Sequence, residues 1–139
     1  MFLKLLHWLR VDSAGSASAG PAKSDPSQVD VDALLQSVGH DRALLESIVD
    51  AYRQTWAEQL DAVRSAVAAD DPAALFHAAH QVRGCMLTLC AGPAVARAEA
   101  LEAIGRSGRA RGLEAQVEDL ARCMETVERE LSALSEEAA

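Results

Sequence analysis

Apolar residues recur at every third or fourth position through four separate stretches of this 139-residue chain, and that recurrence limits what it can become. The last stretch is the most regular: Leu113, Val117, Leu120, Met124, Val127, Leu131 and Leu134 alternate steps of four and three, a heptad seam. Before it, Leu45, Ile48, Tyr52, Trp56, Leu60, Val63 and Val67 mark one face of a helix of roughly seven turns. Leu75, Ala79, Val82, Met86 and Leu89 make a third face, and Val95, Ala98, Leu101 and Ile104 a fourth. A spacing near 3.6 residues is that of a helix; a strand would alternate with period two.

Helix stop and start signals separate these faces. VDVDALLQSVG reads as a short helix that stops at Gly39, after which Asp41 can cap the next one. Asp71 as N-cap with Pro72 at the first helical position is a strong start. Ala91-Gly92-Pro93 ends one helix and starts another, and Gly105 to Gly112 reads as a Gly/Arg/Ser loop. The expected fold is all-α: an antiparallel, up-down four-helix bundle with a short extra N-terminal helix. The bundle should span residues 30–136, preceded by a flexible Ser/Ala/Gly/Pro-rich linker over 12–29 and a short amphipathic segment over 1–11.

Two readings stand for residues 1–11. Phe2, Leu5, Leu6 and Leu9 share one helical face while Lys4, His7 and Arg10 cluster on another, which suits an interfacial or partner-docking helix with weak membrane contact. The other reading is a frayed end without function. The three charged or polar interruptions make a poor secretory segment, and no apolar run approaches the ~20 residues that a spanning helix needs. A formal charge of −8, from 13 basic and 21 acidic residues, argues against nucleic acid as the main partner. Cys85, Cys90 and Cys123 are odd in number and match no zinc or redox spacing, so a reducing cytoplasm and packed thiols are expected.

The informative segment is Asp71 to Glu102. On a helical wheel His80 lies roughly 140° from the apolar face of its helix, among Phe76, His77, Arg83, Gly84 and Leu87. Gly84 sits one turn after His80 in a helix interior, where Gly costs about 1 kcal/mol relative to Ala. It either leaves room for a second protein beside the imidazole or lets two helices approach closely. Arg83, at i+3, offers a cation beside the ring. Phe76 and Leu87, with His77 and Gln81, suggest a docking surface, unless Phe76 turns into the core. His77 and His80 lie at i, i+3, but two imidazoles without a third ligand make a weak metal site, and none is expected. Arg106, Arg109 and Arg111 read as a solvated loop. A neutral imidazole is a good nitrogen nucleophile near pH 7, and attack through one ring nitrogen requires an acceptor to hold the proton on the other.

The segment His80-Gln81-Val82-Arg83-Gly84, then Leu89-Cys90-Ala91, then Leu101-Glu102 resembles the histidine phosphotransfer (HPt) domains of bacterial two-component phosphorelays. The similarity covers about residues 30–135 and is most distinctive over 70–102. The resemblance implies that His80 is the phospho-acceptor, that Arg83 takes the place of the usual lysine, that Gly84 opens the surface and that Glu102 holds the second ring nitrogen. Cys90 replaces the usual glycine before Ala91, Cys85 and Met86 replace small residues after Gly84, and Ala94 and Arg97 stand where apolar or larger residues are common. The implied partners are response-regulator receiver domains, a hybrid sensor histidine kinase, or both, with this chain a monomer. It would be a phosphocarrier without a cofactor or turnover of its own, the Mg²⁺ being supplied by the receiver. The rival expectation is a helical adaptor that binds a receiver or kinase and accepts no phosphate.

Overall fold

A computed structural model describes residues 27–138; the amphipathic segment expected over 1–11 and most of the linker expected over 12–29 lie outside these. Among the described residues the elements are five helices and no strand: α1 (Val31–Ser37), α2 (Arg42–Ala68), α3 (Pro72–Thr88), α4 (Gly92–Arg106) and α5 (Glu114–Ala138). Helices α2 to α5 run up and down around one core, with α2 against α3, α3 against α4, α4 against α5 and α5 closing back onto α2.

Three of the five helices begin where an aspartate supplies an oxygen for the orphan amides, while α4 starts after Ala91 without a side-chain cap. Asp30, Asp41 and Asp71 accept from the backbone N–H of Ala33, Leu44 and Ala74, each at 3.1 Å. Pro72 and Pro93 sit in the first turns of α3 and α4, where a missing N–H costs nothing. Three helices end on non-glycine residues in left-handed backbone: His40, Asp70 and Cys90, with φ of 57°, 53° and 56°. Cys90 thus occupies the conformation that the glycine it replaces would adopt without strain.

The heptad seam of α5, Val117, Leu120, Met124, Val127, Leu131 and Leu134, is buried along its length, as is Leu113 just before it. On α3 Leu75, Ala79, Val82, Met86 and Leu89 are buried too. Elsewhere the core face is rotated slightly from the expected one. Val49 and Ala94 are fully buried, whereas Ile48, Trp56, Val95 and Ile104 are only half-buried at the rim of the core. Bulk misled the reading here: the larger side chain lies at the edge and the smaller one faces the crowded axis.

Two boundaries differ from expectation. Gln28 and Val29, placed in the linker, are buried, and their backbone N–H groups both donate to the Glu130 carboxylate of α5, at 3.0 and 2.9 Å. With the Asp30 N–H bonded to the Cys90 carbonyl at 2.9 Å, they seat α1 across the end of the bundle that carries the α3–α4 turn. Gly105, placed in a loop, lies inside α4. A Cβ on Gly105 would meet the Phe76 amide nitrogen at 2.8 Å and the Pro72 carbonyl oxygen at 3.0 Å. Its missing side chain therefore lets α4 lie backbone to backbone against the first half of α3.

Candidate functional site

His80 stands midway along α3 with its side chain 57% exposed. Opposite it on α4, Glu102 is 3% exposed, the one carboxylate buried among the described residues. The sequence places both by helical phase. Leu101 faces the core, and Glu102, 100° further round, faces the α3–α4 seam that Gly105 closes. There Nδ1 of His80 lies 2.7 Å from Oε2 of Glu102. A carboxylate only accepts, so Nδ1 carries the proton and donates it.

A buried carboxylate needs compensating charge and hydrogen bonds. Two guanidinium groups supply the charge, one at each carboxylate oxygen. Arg83 Nε lies 3.1 Å from Oε1 of Glu102, an ion-pair distance although the N–H is not aligned on the oxygen, and another of its nitrogens lies 3.6 Å from Glu99 on α4. Arg106, one turn after Glu102, reaches Oε2 at 3.6 Å. Its guanidinium carbon also sits 5.3 Å from the centroid of the Phe76 ring, over its face.

Phe76 neither lies free on the surface nor turns into the core. It is half-buried and stacks on the His80 imidazole, with centroids 5.9 Å apart and planes 18° from parallel. His77 is exposed and meets the edge of Phe76, with centroids 5.3 Å apart. Gln81 is exposed, and Leu87, 56% exposed, is one of two large apolar side chains left largely in solvent among the described residues. A Cβ on Gly84 would meet nothing within 4 Å, so no packing within this chain requires glycine there. Of the two readings of Gly84, the open surface fits and the packing glycine does not; Gly105 holds that second role.

His80, Arg83 and Glu102 thus lie together at the α3–α4 seam, an arrangement that the family resemblance implies and that no spacing along one helix contains. Three contributors escaped the sequence reading. Glu99 lies within reach of Arg83. Arg106 was placed in a solvated loop, although its i+4 spacing from Glu102 was a usable signal had the helix been carried through Gly105. Gly105 itself gives no one-dimensional sign of what it faces. Among the described residues no group of three or more His, Cys, Asp or Glu side chains is placed to share a metal ion. No described helix is long and apolar enough to cross a membrane. Burial pushes the Cys85, Cys90 and Cys123 thiols above their ordinary range, so near neutral pH they are protonated.

Residues 47–137 match the Hpt domain family, and this chain belongs to it. Among solved structures it is similar to histidine-containing phosphotransfer protein B (HptB) from Pseudomonas aeruginosa PAO1, at 28% sequence identity and a TM-score of 0.62, over 81% of this chain and 97% of that one. Among curated proteins nothing matches. Family membership carries with it a histidine phosphotransfer role in a phosphorelay.

Proposed function

We propose that His80 is the residue that carries the phosphoryl group, taking it from the aspartate of one response-regulator receiver domain and able to pass it to another. The observation that supports this most directly is the 2.7 Å contact of Nδ1 with buried Glu102 beneath a ring that is 57% exposed. The two ring nitrogens diverge, so with Nδ1 turned into the bundle Nε2 is directed away from it with its lone pair free.

In the reaction, the Nε2 lone pair attacks the phosphorus of the receiver's acyl phosphate. The P–O bond to the aspartate breaks and that carboxylate leaves. Nδ1 keeps its proton, and Glu102 balances the positive charge that grows on the ring. Arg83, three residues after His80 on the same helix, offers a cation to the arriving phosphoryl oxygens, and Gly84 leaves backbone-deep clearance for the receiver. Phosphohistidine and the aspartyl phosphate are both high-energy phosphoryl donors, so the step is reversible. Most of the charge stabilisation, including the Mg²⁺, would come from the receiver, so this chain does not turn over alone. Leu87, Gln81 and His77 form the surrounding contact surface.

The test is one mixture: purified protein, a phosphorylated receiver and Mg²⁺. Acid-labile, base-stable label is expected on the wild type and absent from His80→Gln. Stable binding without label would reject the carrier reading in favour of the adaptor.

A further inference from the structure

We infer that Phe76 is a positioning residue for the imidazole, held in place by the last turn of α4 and not merely part of the docking face. This rests on His80 being the acceptor. A hydrogen bond from Nδ1 to Glu102 fixes one edge of the ring but leaves it free to swing about that contact. A second contact on the flat face removes the swing. Phe76 supplies it, its ring 18° from parallel with the imidazole. With edge and face both restrained, the Nε2 lone pair keeps one direction, and in-line attack depends on that direction.

Phe76 could not do this as a free side chain, and two residues of α4 restrain it. Gly105 admits the backbone of Phe76 to a distance that any other residue would block, 2.8 Å from where its Cβ would stand. Arg106 then covers the Phe76 ring while keeping 3.6 Å from Glu102. Arg106 therefore touches both supports of the imidazole at once: the carboxylate that binds its edge and the aromatic ring stacked, with an offset, against its face. The stretch from Glu102 to Arg106 acts as one bracket around the nucleophile.

The bracket predicts a pattern that a docking role does not. In Phe76→Leu the apolar contact with a receiver persists but the flat face is gone. Transfer at saturating receiver should fall about tenfold with the half-saturating receiver concentration little changed. Carbon relaxation of the His80 ring should show new motion on the picosecond-to-nanosecond scale. Phe76→Tyr, which keeps the face, should restore both. Arg106→Gln, on a side chain 65% exposed and so safe for folding, should give a smaller loss with the same ring motion. A changed half-saturation with an unchanged saturating rate and a rigid ring would overturn the proposal and leave Phe76 a docking residue. Should Phe76→Leu fail to fold by circular dichroism, an Arg106→Gln ring as rigid as wild type decides against the bracket. A wild-type protein that takes no label would instead reject His80 as acceptor, a separate failure.

Discussion

At the scale of single residues, Glu102 does two things that substitutions separate. It accepts from Nδ1 of His80, and it pairs with Arg83 and Arg106. Glu102→Gln keeps an acceptor oxygen and loses the charge, so transfer should slow modestly. Glu102→Ala loses both, and transfer should slow by at least tenfold while thermal unfolding by circular dichroism still shows one cooperative transition. Equal rates for the two variants would remove the acceptor role. Arg83→Ala should shorten the phosphohistidine lifetime or slow its formation, read from the decay of acid-labile label; no change in either would leave Arg83 a surface cation. His80, Arg83, Gly84 and Glu102 were legible in the sequence because their spacing is local to two helices and resembles a known pattern. Arg106 was not, because its meaning depends on where α4 ends.

At the scale of helices, terminations carry testable strain. Cys90 holds φ at 56° after α3, a region costing an L-residue about 1–2 kcal/mol. Cys90→Gly should therefore be more stable than Cys90→Ala by about 1 kcal/mol in urea unfolding, since both lose the same thiol and only Gly is at ease there. An equal pair would show the turn to be unstrained. Asp71 caps α3 through a bond to the Ala74 amide at 3.1 Å, and Asp71→Ala should cost about 1 kcal/mol in the same measurement. The aspartate caps and the early prolines were readable because capping is short-range chemistry. The sequence points to a loop at Gly105 because glycine breaks helices in general. It lies inside α4, where Phe76 and Pro72 press against the place where a Cβ would be and so leave room only for glycine.

At the scale of the whole molecule, Tyr52 ties α2 to α5, its hydroxyl donating to the Met124 carbonyl at 2.8 Å. Burial, with minor help from nearby Cys85, Glu128 and Cys123, raises its pKa well above the ordinary value near 10. A raised folded pKa means that the stabilisation is complete below pH ~10, and is lost as pH climbs from there toward the folded value. Wild-type stability should thus fall above pH ~10 by up to about 1.4 kcal/mol per pH unit, on top of the general alkaline loss. Tyr52→Phe should be less stable at pH 7 and lack that added slope. Parallel alkaline slopes in the two proteins would show that Tyr52 ionises freely while folded.

The amino-acid sequence by itself determined the helices, most of their buried faces and the candidate imidazole. Each of those follows from the 3.6-residue period, from caps within a few residues, and from which side of one helix a residue occupies. Only the tertiary structure decided that α3 and α4 touch through Gly105, that Glu102 is buried between two arginines, that Phe76 lies on the imidazole and that Gln28 and Val29 belong to the fold. Those facts join atoms on different helices, and the packing of one surface against another sets such distances, which no periodicity along a single helix contains.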